Sequence, residues 1–167
     1  EASAGFLPKK DDRYRIEFQS PYQGTNGQNV AGNSIWYDIR AHSDAPPQVK
    51  LTEPTEARVE VPADDSLKLS VQVEDDFGAS GAELVCAAGE TMTRIPLGKY
   101  PEPGAERKGI EASIPATMLG KAGQQVICHV EAKDYCPLAA GGVGQVGQSG
   151  KFAVAIKAVE DGGGEHT

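Results

Sequence analysis

Residues 66–74 read SLKLSVQVE. Leu67, Leu69, Val71 and Val73 occupy every second position, with Lys68, Ser70, Gln72 and Glu74 between them. Successive side chains of a strand point to opposite faces, so this spacing predicts a strand with one dry face and one wet face. A helix would instead repeat its apolar residues three and four apart, a rhythm nearly absent from this chain.

Working outward, the same alternation puts Ala82, Leu84 and Cys86 on one face of a second strand and Ile110, Ala112 and Ile114 on one face of a third. Val126, Cys128, Val130 and Ala132 alternate with Ile127, His129, Glu131 and Lys133, and Phe152, Val154 and Ile156 alternate with Ala153, Ala155 and Lys157. With Val49 to Leu51, Arg58 to Val61 and a less regular run from Thr91 to Leu97, these make about seven strands over roughly 110 residues, the number and spacing of an immunoglobulin-like antiparallel β-sandwich. The expected fold class is all-β.

A different tract precedes them. Tyr14, Ile16 and Phe18 alternate with Arg15 and Glu17, a Gly/Asn-rich turn runs from Gly24 to Gly32, and Ile35 to Ala41 returns, which makes a β-hairpin without the rest of a sandwich. Asp44-Ala45-Pro46-Pro47 then reads as a stiff linker, because consecutive prolines hold the chain extended and cannot continue a ladder. Residues 39–44 (IRAHSD) align without gaps on residues 156–161 (IKAVED), as two closing strands running into linkers would; chance similarity of two amphipathic strands is the alternative. The organisation expected is residues 1–44 as the closing strands of a preceding sandwich, 45–161 as a complete one, and 162–167 as a flexible tail.

The formal net charge of -8 argues against a surface that tracks phosphates, and so against nucleic acid or an anionic membrane as partner; divalent cations or basic surfaces suit it better. No apolar run approaches the ~20 residues needed to cross a bilayer, so no direct membrane insertion is expected of this stretch. The chain opens on Glu1 without a leader pattern, and a signal segment, where encoded, would lie outside it. Cys86, Cys128 and Cys136 lack the paired short spacing of a zinc site.

Gly142, Gly144 and Gly147 spell G-x-G-x-x-G. A dinucleotide loop of that spacing needs a strand before it and a helix after it, so that phosphate meets free N–H groups. Here a strand follows, which favours a long inter-strand loop whose glycines turn freely. A second constellation is acidic: Asp75 and Asp76 close one strand, Asp134 closes another running the same way, and Asp44 precedes a strand that starts at the same end. These carboxylates suit calcium, which takes six to eight oxygen ligands; the plainer alternative is aspartates that hold turns by bonding to nearby backbone N–H groups. No other cofactor is expected. His42, His129 and His166 have no evident nucleophile with an orienting carboxylate, and Cys128 and His129 point to opposite faces, so no enzyme activity is expected and His129 reads as a solvated strand residue. Trp36 and Tyr37, with Tyr14, Tyr22 and Tyr100, would either pack a joint between domains or stack on sugar rings.

Several phrases carry a resemblance: YRIEF (14–18), YDIR (37–40), DAPPQVKL (44–51), VEDDFG (73–78), IPA (114–116), GQQV (123–126) and VEAKD (130–134). Together they resemble the tandem immunoglobulin-like repeats of large bacterial cell-envelope proteins. That resemblance implies an extracytoplasmic address, membrane anchoring through a segment outside this chain, and a non-catalytic role as spacer and protein-binding module. Partners would be other domains of the same chain or envelope proteins, with dimerisation by strand swapping open to the hairpin. A carbohydrate-binding module and an accessory domain of a larger enzyme are the alternatives. Such repeats carry an aromatic residue where Cys128 stands; a Cys86–Cys128 disulfide would compensate for its loss, or two buried thiols would fill the space.

Overall fold

A computed structural model of the chain describes residues 10–25, 27, 29–41, 43–99, 107–135 and 144–159. The chain divides into two compact units, Glu1–Ser43 and Asp44–Thr167.

In the first unit β1 (Asp12–Tyr14) pairs with β4 (Tyr37–Ile39), and β2 (Glu17–Gln23) pairs with β3 (Asn29–Asn33), both antiparallel. They form one hairpin interrupted midway. Ser34 spans the interruption: its N–H donates to the Ile16 carbonyl at 2.8 Å, and its hydroxyl accepts from the Ile16 N–H at 2.9 Å. Phe18 faces Gly32 across the pair, where a Cβ would come within 2.6 Å of the ring, so a side chain there would displace the aromatic.

The second unit carries β5 (Gln48–Glu53), β6 (Arg58–Pro62), β7 (Ser66–Glu74), β8 (Ala79–Ala88), β9 (Thr91–Lys99), β10 (Arg107–Pro115), a single helical turn α1 (Ala116–Leu119), β11 (Gln125–Asp134), β12 (Val146–Gln148) and β13 (Phe152–Lys157). One sheet has the order β10-β7-β5 and is antiparallel throughout. The other runs β6-β13-β11-β8-β9, with β12 also on β11; only the β6–β13 pair is parallel. Among the described residues this unit therefore has nine strands, the eight runs that the alternation marks, expected as about seven, and one more. The addition that the pattern hides is β12, whose three residues Val146, Gly147 and Gln148 are too few to show a rhythm.

The alternation of Ser66–Glu74 explains why there are two layers. Leu67, Leu69, Val71 and Val73 are each at most 3% exposed, and the residues between them are open or half-buried. They share one core with Ile110 and Ile114 of their own sheet and with Leu84, Cys86, Val126, Cys128, Val130, Phe152, Val154 and Ile156 of the other. Each such Leu or Val contributes about 1.5–3 kcal/mol by leaving water. The unit is thus all-β and sandwich-like, two sheets closing over a common apolar layer.

The β11 edge that receives β12 and β13 is continuous except at Ser149. There the Ser149 N–H donates to the Val130 carbonyl and the Ser149 hydroxyl accepts from the Val130 N–H, both at 2.8 Å, so a side chain completes the ladder between the two short strands. At the opposite edge Gly89, with φ +60°, turns β8 into β9 in a two-residue connection that ordinary side chains rarely permit.

Leu69→Ala is expected to cost about 3 kcal/mol in urea unfolding, while Lys68→Ala, one position along on the wet face, should change stability by less than about 0.5 kcal/mol. Equal effects at the two positions would contradict the layering.

Candidate functional site

The strands that build the core also define a pole where their ends meet. β7 stops at Glu74, and Asp75 begins the corner into β8: its Oδ2 accepts from the Phe77 N–H at 3.0 Å, and Gly78, with φ +96°, completes the bend. The Gly78 carbonyl accepts from the Tyr135 N–H at 3.1 Å, which ties this corner to the end of β11. Asp134 is the last residue of β11, and its Oδ1 accepts from the Gln145 N–H at 2.7 Å. Gln145 also reaches the third segment, because its Nε2 donates to the Asp44 carbonyl at 3.1 Å.

One carboxylate oxygen each from Asp44, Asp75 and Asp134 lies within 4.8 Å of the other two. Asp75 is 8% exposed and Asp134 3%; Asp44 is half-buried. Both Asp44 carboxylate oxygens and Oδ1 of Asp75 are sealed from solvent with no hydrogen-bond partner among the described residues. Two unit negative charges that close repel by about 3 kcal/mol even at an effective dielectric constant near 20. Burial accordingly pushes the Asp75 carboxyl above the ordinary carboxylate range; the Phe77 amide opposes the shift, and the charges of Asp76, Asp134 and Asp44 add to it. Of the four aspartates read from the sequence the structure brings three together. Asp76 is exposed and lies outside the group, since one further step along a turning backbone aims its side chain at solvent.

The glycine pattern has a different role from the one expected of it. Gly144 and Gly147 are not freely turning loop residues, because Gly144 lies against Asp134 and Gly147 against the Pro47 backbone. A Cβ on Gly144 would sit 2.6 Å from Oδ1 of Asp134, and one on Gly147 would collide with the Pro47 carbonyl oxygen. Gly147 is the centre of β12 and pairs with Ala132. Close backbone approach thus accounts for both glycines, and Gly142 lies outside the described residues. Of residues 44–47, read as a linker, Pro47 is buried and Asp44, the first residue of the second unit, is half-buried, while Ala45 and Pro46 are exposed.

Cys86 and Cys128 stand directly opposite each other on β8 and β11, 4.2 Å apart at Cα, fully buried and with their sulfur atoms in bonding contact. The pairing lies within one sheet. On the outer face of that sheet His129 is not a solvated residue: its side chain is only 13% exposed, and Nε2 is 3.1 Å from Oε1 of Glu131. Arg94 bridges Glu131 at 2.7 Å and Glu83 at 3.1 Å, and Gln148 donates to Glu131 at 3.0 Å. The Arg94 guanidinium, ahead of His129, holds the Glu131 carboxyl below its ordinary value. Alternation alone does not show this polar row, because the shielding of an outward residue comes from neighbouring strands.

In the first unit the Tyr37 ring stacks on Tyr14 at 5.1 Å, and Trp36, 56% exposed, has the Arg15 guanidinium 5.0 Å from its ring centre. His42, Tyr100, Cys136, His166 and the stretch 162–167 lie outside the described residues, as does the Tyr22 side chain.

No family model matches the chain, and no curated protein is similar to it in sequence. What the fold and the pole define is an all-β chain of mainly antiparallel sheets with a buried acidic end.

Two outcomes follow from this geometry. Thiol alkylation in denaturant should leave Cys86 and Cys128 unmodified unless a reductant is present, and replacing both by alanine should cost up to about 4 kcal/mol, the loop-closure value for the 42-residue separation. The second concerns acid. A folded-state carboxyl raised above its ordinary value stabilises the fold fully below that ordinary value and loses this contribution as pH rises through the raised one. In chelator-containing buffer, Asp75→Asn should therefore unfold at higher urea than the wild type at pH 7, with the gap closing towards pH 4; a gap that widens in acid would contradict the assignment.

Proposed function

We propose that residues 45–161 are an immunoglobulin-like module that acts without catalysis, as a rigid spacer and protein-binding unit of an extracytoplasmic bacterial envelope protein, anchored to the membrane outside this chain. The observation that carries the proposal is the strand order. The β7–β10 pairing and the β13-β11-β8-β9 order correspond to the B–E pair and the G-F-C-C′ sheet of that plan. β5 and β6 divide the opening of the module between the two sheets, and β6 runs parallel to the closing strand. Tight sheet-on-sheet burial suits a part whose task is to hold its loops and edges at a set spacing.

The address is supported by the Cys86–Cys128 geometry, since disulfides persist mainly in oxidising compartments. The partner class is supported by the hairpin of the first unit, where Ile16, Phe18 and Ile35 are each more than half exposed. Two-stranded ribbons with open edges are completed by neighbouring strands, from other domains of the same chain, from an envelope protein, or from a swapped second copy. The hairpin then reads as the closing strands of a preceding module.

Trp36 favours a second reading, a carbohydrate-binding surface, because much of its ring is open to solvent. The two readings separate experimentally. The purified chain should turn over generic ester, phosphoester, peptide and glycoside substrates no faster than buffer, and should give no glycan-array signal that Trp36→Ala abolishes. Turnover lost in His129→Ala would overturn the non-catalytic reading, and a glycan signal dependent on Trp36 would replace the spacer with the sugar-binding module.

A further inference from the structure

We propose that Asp44, Asp75 and Asp134 bind one calcium ion, which fastens the segment entering β5 to the ends of β7 and β11. The inference stands on the acidic pole alone and is independent of the spacer reading.

Acidic residues at strand ends are ordinary, and their proximity would mean little if each were engaged in holding a turn. Asp75 is engaged through one oxygen only: Oδ2 accepts the Phe77 N–H, while Oδ1, on a residue 8% exposed, is sealed from solvent with no hydrogen-bond partner. Both oxygens of Asp44 are likewise sealed and unbonded. Buried polar atoms almost always find a partner, and a buried carboxylate facing two others is the case least able to do without one. A cation supplies that partner for Asp75 and Asp44, with Asp134 as the third carboxylate beside it.

The donor set selects the kind of ion. Every candidate ligand is a carboxylate oxygen, with no imidazole or thiolate among the three, which excludes a preference for zinc or copper and suits a hard divalent cation. Calcium bonds oxygen at about 2.3–2.6 Å, so two oxygens on one ion stand at most about 5 Å apart, and the 4.8 Å bound on the three carboxylates falls inside that limit. The ligands come from three separate chain segments, which gives an irregular cage. Calcium accepts such geometry and completes its six to eight ligands with carbonyls and water, whereas magnesium demands near-octahedral order.

The surroundings hold the carboxylates in place without filling their shared space. Gln145 binds Asp134 through its backbone and the Asp44 carbonyl through its side chain, and Gly144 lets this loop lie directly on Asp134. The ion would thus close the entrance to the second unit at its first residue.

The test is calorimetric titration of the chelated whole chain with calcium chloride at about 0.15 M salt, paired with thermal melts. The wild type should show one saturable site with Kd on the order of 10⁻⁴ M, as in extracellular modules, and a melting temperature that rises with calcium. Asp44→Asn and Asp75→Asn should each weaken binding at least about tenfold, and Asp76→Asn should leave it within about twofold. A cooperative melt of each variant in chelator distinguishes a lost ligand from a lost fold, and Asp44→Asn, outside every strand, gives a second readout that does not depend on Asp75. Absence of both heat and melting shift in the wild type at millimolar calcium would overturn the proposal. So would equal affinity for magnesium, or a calcium shift unchanged in Asp44→Asn.

Discussion

The single apolar core that β7 and β11 share constrains the rest of the second unit. Each is the middle strand of its sheet, and each commits its whole inward row to the other layer: Leu67, Leu69, Val71 and Val73 from one, Val126, Cys128, Val130 and Ala132 from the other, all at most 3% exposed. A slip of one residue in either strand would exchange that row for Lys68 and Gln72 or for His129 and Glu131. The register of both sheets is therefore set by the core, and the flanking strands take positions already fixed.

Where a fully committed strand ends, the chain must reverse, and residues that reverse chains well are polar. That is how Asp75 and Asp134 come to stand at one end of the core, on the border between the apolar layer and the loops. Turn chemistry explains one oxygen of Asp75 and the bond from Gln145 to Asp134. It does not explain why the loop of Gly144 to Gly147 closes over the same place and seals the carboxylates with Asp44. The pole is where the demands of burial and of charge meet. On the outer face of the larger sheet the same conflict is settled by pairing, with Arg94 set between Glu83 and Glu131.

Much of this was legible in the residues. SLKLSVQVE became β7 with the predicted face inward, and Asp44, Asp75 and Asp134 could be assigned to one end by counting strand directions. The same count includes Asp76, which is exposed and lies outside the group, because direction along a strand is periodic and direction around a turn is not. The G-x-G-x-x-G spacing misleads for a related reason: a glycine that admits a phosphate and one that admits another stretch of backbone look alike until the neighbour is known. Pro47 and Asp134, far from these glycines along the chain, are those neighbours. Alternation puts His129 on the outer face, but its enclosure by Glu131 depends on side chains that local alternation does not encode.

By itself the sequence determined the longer strands, their buried faces and the all-β class, since each follows from a two-residue period and from residues that break it. The tertiary structure decided which strands share a sheet, that Cys86 meets Cys128, that β12 exists, and that three carboxylates from segments far apart in the chain enclose one small volume. The physical reason is range. Alternation is a property of neighbours in the chain, whereas burial of charge and contact between sulfur atoms depend on distances that exist only after two sheets have closed over one core.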